Sequence, residues 1–242
     1  MTNRPSTSRP RGMAQEIREV PSYGIPEAAH YLGIPVSTLQ SWVYGYPYTT
    51  RTGRKRFKPL IEVPPEEKGH RRLSFMNLVE AHVLDAIRRQ HRISMPKVRR
   101  ALDYLQAKLP SKHPLADRSF ATDGMSLFIQ QYGHLINISE SGQLAIRELI
   151  EAHLRRIERD PRGLPIKLFP YTRKRQADEP KVVVIDPEVA FGRPVLAGTG
   201  IPTAAIAERY KAGESIEELV DDYHRSPSEI QDAIRCELPD AA

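Results

Sequence analysis

The 242-residue sequence predicts an α+β fold that is mainly helical. Three observations lead there. Apolar residues recur at three- and four-residue spacing in several separate segments, the mark of amphipathic helices. The strand-like runs are short and bounded by Gly or Pro, which limits them to hairpins. The 21 prolines are spread along the chain and divide it into compact units joined by stiff connections. The expected division is a flexible basic arm (1–20), an N-terminal unit (21–112), a small α+β unit with a linker (113–180) and a C-terminal hairpin plus three-helix module (181–242).

Composition narrows the classes of function. Hydrophobic residues make up 40% of the chain and charged residues 27%, and no run approaches the roughly 20 apolar residues of a membrane span. The polar first 20 residues lack the apolar centre of a secretory signal. Cys236 is the only cysteine, which excludes an intrachain disulfide or a Cys-rich zinc site and points to the cytoplasm. Charge is unevenly placed. Residues 1–112 hold 20 Lys and Arg against 9 Asp and Glu, whereas residues 181–242 hold 6 against 12. A basic front and an acidic rear imply different partners at the two ends.

In the N-terminal unit, the segment YGIPEAAHYLGIPVSTLQSWVYG (23–45) is the most informative. Pro26 suits the first turn of a helix, and Ala28, Ala29 and Leu32 supply its buried face. Gly33 makes the turn, Ile34 plugs the angle, and Leu39, Trp42 and Val43 face inward from a second short helix. This is a helix-turn-helix. In such a unit the second helix enters the major groove of double-stranded DNA and its early polar residues reach base edges. The candidate readers are Ser37, Thr38, Gln40, Ser41 and Tyr44. Ser37 and Gln40 also fit an S-x-x-Q capping box, which would commit them to the helix terminus and leave Thr38 and Ser41 as the better readers. Residues 46–73 read as a β-wing, with Arg51, Arg54, Lys55 and Arg56 at a basic tip, followed by Lys58, Arg71 and Arg72. Such side chains contact phosphates and set affinity rather than sequence choice.

Two amphipathic helices follow, capped by Ser74 and Ser94. In the middle unit, Asp123-Gly124 reads as a hairpin turn between strands SFAT and MSLFIQQ, His134–Ile138 as another strand, 142–159 as a helix and 164–171 as a further strand. Residues 172–180 read as a polar linker. In the tail, Val182–Ile185 is a strand, GRPVLAGTGIP (192–202) a tight hairpin, and 203–211, 215–222 and 226–237 are helices. Ser215 with Glu218 and Ser226 with Glu229 form capping boxes, and Pro227 occupies a first helical position.

Two segments carry family resemblances. YGIPEAAHYLGIPVSTLQSWV resembles the start of MerR-type winged helix-turn-helix regulators. The tail, with its D-P, its G-x-P-V-x-x-G-T-x-I-P hairpin and its G-E-S-I-E-E-L helix start, resembles a small bacterial domain of unassigned function found in antitoxins. Where that hairpin usually carries Arg, this chain has Gly200. In this order the two pieces look like VapB-type antitoxins, and the resemblance implies an antitoxin that binds its operon promoter and neutralises a PIN-domain ribonuclease toxin. It also implies a homodimer, since a dimer reads two half-sites. The residues leave two alternatives open: a stand-alone MerR-like regulator, or an interaction module without DNA binding.

Catalytic signatures are missing. There is no P-loop, nucleophile elbow or H-E-x-x-H, and the eight histidines show no metal spacing. The sequence therefore reads as non-enzymatic, with no catalytic residue, metal site or cofactor. The acidic tail is expected to face protein, because apposing it to phosphates would cost affinity.

Overall fold

One glycine, Gly33, sets the turn of the N-terminal unit in a computed structural model that describes residues 17–50, 53–65, 69–89, 95–136, 139–173 and 178–238. Helix α1 spans Ile25–Leu32, with Pro26 in its first turn and the Glu27 carboxylate accepting the Gly24 N–H at 3.1 Å. It stops at Gly33, which takes the left-handed conformation (φ 54°, ψ 39°) that releases the chain toward α2 at Val36–Tyr44. Ile34 is buried in the angle between them, beside Leu39, Trp42 and Val43. Strands β2 (Pro47–Thr50) and β3 (Gly53–Arg56) follow as an antiparallel hairpin, the expected wing. The chain then returns through β4 (Arg72–Leu73), which pairs with β1 (Tyr23–Gly24) and anchors the start of α1.

Helix α3 (Phe75–Arg89) carries the core of the molecule. Phe75, Leu78, Val79, Val83, Leu84 and Ile87 are all buried. Ser74 caps it: its hydroxyl accepts the Asn77 N–H at 3.2 Å, and the Asn77 side-chain oxygen accepts the Ser74 N–H at 3.1 Å. Helix α4 (Met95–Lys108) presents Val98, Ala101, Leu102 and Leu105 inward, while its expected cap, Ser94, lies outside the described residues.

The middle unit departs from expectation. Asp123-Gly124 is no hairpin turn; Phe120–Gly124 is a π-helical turn leading directly into α5 (Met125–Ile136). The buried residues Met125, Phe128, Ile129 and Tyr132 stand at i, i+3, i+4 and i+7, a helical stripe in place of the expected strands. Residues 134–136, expected to begin a strand, end this helix, and 137 and 138 lie outside the described residues. Helix α6 is Glu140–Leu154, with β5 (Ile157–Arg159) and β6 (Pro165–Leu168) forming a hairpin behind it. The helix is shorter than the expected 142–159 at its end because the last three of those residues pair as a strand.

The supposed linker is tethered at both described ends. Arg156, itself buried, donates to the carbonyls of Phe169 (2.6 Å), Pro170 (3.1 Å), Glu179 (2.8 Å) and Pro180 (3.2 Å). Arg173 forms a two-oxygen ion pair with the fully buried Asp232. In the tail, β7 (Val183–Val184) pairs with β8 (Val195–Leu196), and Val195 bridges Pro202 to close the tight loop. Helices α7 (Thr203–Lys211), α8 (Ile216–Tyr223) and α9 (Pro227–Glu237) pack around Leu196, Ile206, Leu219 and Ile230. Both capping boxes form as the spacing predicts. Val183, Ile185 and Cys236 nevertheless belong to the same buried cluster as Trp42 and Leu78.

Candidate nucleic-acid interface

Helix α2 has two opposed faces. Leu39, Trp42 and Val43 are buried, whereas Ser37, Gln40, Ser41 and Tyr44 stand at i, i+3, i+4 and i+7 and form one outward stripe, with Thr38 at its border. Ser37, Gln40 and Tyr44 are exposed, and Thr38 and Ser41 are half-buried. The capping-box alternative is corrected by the helix start. The N-cap is Pro35, without a side-chain cap bond, so Ser37 lies inside the first turn and neither it nor Gln40 serves the terminus. Ser41 is partly occupied locally, its hydroxyl donating to the Thr38 carbonyl at 2.7 Å.

The C-terminal end of α2 is held by the chain that follows the wing. The last carbonyls of a helix have no partner within it, and here three of them are met from outside. The Leu60 and Ile61 N–H groups donate to the Trp42 carbonyl at 2.7 and 3.2 Å. Arg71 Nη1 donates to the Val43 carbonyl at 3.1 Å and Arg56 Nη2 to the Tyr44 carbonyl at 2.9 Å. Both guanidinium groups also sit at the negative end of the helix dipole. The Arg71 guanidinium lies 5.1 Å from the centre of the Tyr44 ring, which fixes that ring at the edge of the outward stripe.

The basic residues therefore divide into two groups. Arg54, Lys55 and Lys58 are exposed on the wing and its return strand. Arg56, Arg71 and Arg72 bond backbone carbonyls, Arg72 Nη2 donating to Ser22. Arg51 lies outside the described residues. The wing is stiffened by a stacked pair, Tyr48 and Phe57, with ring centres 4.1 Å apart, and Arg99 covers the same Phe57 ring at 5.5 Å. Arg99 also donates to the Pro59 carbonyl at 3.0 Å. Sequence reasoning missed Arg99, because it lies on α4, far from the wing in the chain, and no local pattern signals such a tertiary strut.

A second missed interaction joins the two ends of the molecule. Arg193, in the tail's G-R-P-V segment, pairs with Glu27 in the first turn of α1, and the Tyr23 hydroxyl donates to the Gly192 carbonyl at 2.9 Å. A Cβ on Gly192 would lie 2.3 Å from that hydroxyl, so the approach requires glycine. Burial pushes the Tyr23 phenol well above its usual range and keeps it a neutral donor.

Comparison with known proteins places this arrangement in a family. Residues 21–102 match a family model described as "Putative DNA-binding HTH domain", and residues 183–235 match "Protein of unknown function (DUF433)". The chain is 31% identical over 233 residues to "Putative antitoxin VapB45" of Mycobacterium tuberculosis, covering 89% of this chain and 93% of that protein. The chain belongs to the VapB antitoxin family. A second relative is "Uncharacterized protein Rv2308" of the same organism, 26% identical over 90% of this chain and 89% of the other. The crystal structure of Rv2018 from M. tuberculosis superposes with a TM-score of 0.68 at 28% identity, covering 89% of this chain and 98% of that one. The family member described here thus combines a helix-turn-helix of a DNA-binding type with the DUF433 module, as an antitoxin or regulator does. Among its described residues no helix is long and apolar enough to cross a membrane.

Proposed function

We propose that the protein is the antitoxin of a type II toxin–antitoxin pair, acting in the cytoplasm as a homodimer that binds its own operon promoter and silences a PIN-domain ribonuclease. The observation that carries the DNA half is the outward stripe of α2 beside the exposed cations Arg54, Lys55 and Lys58. Ser37, Thr38, Gln40, Ser41 and Tyr44 would read the groove, and the wing cations, with Arg51, would meet phosphates. Arg56, Arg71 and Arg72 are oriented by carbonyls, so in this reading they position the helix and add charge beside the backbone of the DNA. The toxin half rests on the family and on charge. Glu217, Glu218, Asp221 and Asp222 are exposed on α8, a face that repels phosphate and suits a basic protein surface.

The test has two arms. Replacing Arg54, Lys55 and Lys58 together by Ala should weaken promoter binding and lower the slope of log K against log salt by about 0.9 for each phosphate no longer neutralised. An unchanged slope, measured by fluorescence anisotropy, would exclude the wing assignment. Co-expression with the neighbouring gene should yield a complex in which ribonuclease activity is suppressed, and a neighbour that neither co-purifies nor is suppressed would leave a stand-alone regulator.

A further inference from the structure

A cleft of about 550 Å³ lies between the irregular segment 58–65 after the wing, α4 and the loop at 111–114. Its volume falls in the range of small-molecule sites. Leu60, Ile61, Val63 and Leu102 give it an apolar wall among more polar lining, which includes the buried Glu80. That carboxylate is already engaged, accepting from His113 Nδ1 at 2.9 Å and Asn77 Nδ2 at 3.3 Å. Among the described residues the remaining charged lining is Lys58, Arg71, Arg99 and Lys112, the last also paired with Glu19 at 2.8 Å, against Glu62 and Asp103. Arg99 is half-buried there, with its Nη1 on the Pro59 carbonyl. An apolar wall beside more lining cations than anions outside Glu80, among the described residues, suits a small organic acid with an aromatic or aliphatic body.

The walls of this cleft are also the supports of the recognition helix. Leu60 and Ile61 hold the Trp42 carbonyl, Arg71 holds that of Val43, and Arg99 holds the strand carrying them through Pro59. We propose that the cleft is an effector site for a small organic acid, whose acidic group draws Arg99 from the Pro59 carbonyl and so loosens the α2–wing unit. DNA affinity would fall on occupancy, and by linkage DNA would lower the affinity of the acid by the same factor. The coupling to DNA rests on the function proposed above; the existence of the site does not.

The experiment uses the full-length protein and 8-anilinonaphthalene-1-sulfonate, an aromatic body bearing one anionic group. A saturable, one-to-one fluorescence enhancement is expected. Val63→Trp, which fills the cleft, should abolish it, and Arg99→Gln should weaken binding by about fivefold or more, the lower end of usual coupling strengths. Leu144→Trp, at an exposed position on α6, should leave it unchanged, and circular dichroism should show all three variants folded. If Val63→Trp does not fold, Arg99→Gln alone decides. Enhancement indifferent to both cleft variants, or no saturable binding, would overturn the site. Saturating probe should then lower the affinity for a labelled duplex in wild type but not in Val63→Trp. Duplex affinity unmoved by bound probe would overturn the coupling, whereas failure of the unliganded protein to bind any duplex would overturn the DNA reading and leave the probe result standing.

Discussion

Gly45→Ala tests how the wing is joined to α2. Gly45 ends α2 with φ 68° and ψ 178° and is buried against Phe57 and Lys58. This region of backbone space is nearly closed to residues with a Cβ, and holding one there costs on the order of 1–3 kcal/mol. Space is the second difficulty. The added Cβ would fall 2.0 Å from the Phe57 carbonyl oxygen and 3.2 Å from the Lys58 carbonyl carbon. These are backbone atoms, so no rotamer change relieves the clash, and the segment carrying Phe57 must move away from α2. That segment supplies the Leu60 and Ile61 bonds to the Trp42 carbonyl, each worth about 1 kcal/mol net. Together the strain and the broken hydrogen bonds predict a destabilisation of about 3–5 kcal/mol, a large part of a usual domain stability. Trp42 is the chain's single tryptophan and is 2% exposed, so its fluorescence during urea unfolding reports on this joint directly. Gly200→Ala is the control, since Gly200 has no neighbour within 4 Å of a built Cβ, and it should change stability by less than about 1 kcal/mol. A Gly45→Ala protein as stable as wild type would refute the reasoning.

Three further outcomes are expected. Arg156→Met should leave four carbonyls, two of them in buried contacts, without this donor and destabilise the chain by about 3–5 kcal/mol, with new protease cleavage between 171 and 181; urea unfolding and limited proteolysis check both, and an intact segment would show that Arg156 is dispensable. For His113, burial is the largest influence and opposes its charge, but hydrogen bonds and charge from Glu80 and Glu19 outweigh it and raise the pKa. A raised folded-state pKa gives stability that is full below the unfolded value and lost as pH rises through the folded one, and the buried Glu80 carboxyl, raised by desolvation, acts in the same direction. The melting temperature of wild type should therefore fall from pH 6 toward alkaline pH more steeply than that of His113→Gln; parallel profiles would contradict this. Phe191 is 95% exposed at φ 56°, a strained position for a bulky side chain, so Phe191→Asn should raise stability by about 1 kcal/mol in thermal unfolding, and a decrease in stability would mean that the phenyl ring packs in solution.

Local signals in the sequence are legible, and distant ones are not. Pro26, Gly33 and the S-x-x-E boxes at 215 and 226 act over a few residues, so their consequences for α1, α8 and α9 follow from the chain alone. The stripe of α2 follows equally from spacing. The error at 120–136 arises because Asp-Gly is an ambiguous signal. It favours a hairpin turn in isolation, but packing of Phe128 and Tyr132 into the core, with the two rings stacked 5.9 Å apart, selects the helical reading. The capping box at Ser37 fails for a related reason. The chain enters α2 through Ile34-Pro35, where the burial of Ile34 and the fixed φ of Pro35 start the helix two residues early. Arg99, Arg156 and Arg193 are illegible because their partners are backbone carbonyls or carboxylates elsewhere in the chain, and such pairings leave no periodic trace.

The division of charge between the two ends takes on a different meaning once those arginines are placed. Charge count alone makes the basic front and acidic rear look independent. The packing says otherwise: Arg193 of the tail holds Glu27 at the start of α1, Tyr23 of the front holds Gly192 of the tail, and Val183, Ile185 and Cys236 share a core with Trp42. Glu27 in turn organises the first turn of α1 through the Gly24 N–H and accepts the Tyr31 hydroxyl. A force or a partner acting on the 190–193 segment is therefore one residue removed from the helix that precedes the recognition helix. Packed interfaces of this kind shift between discrete arrangements rather than deform smoothly, and the close approach of Gly192 to Tyr23 leaves no room for a Cβ there. A partner that engaged the tail would act on the packing that holds the start of α1, and by linkage its binding free energy would be coupled to that packing to the extent that it favours one arrangement of the Glu27–Arg193 pair.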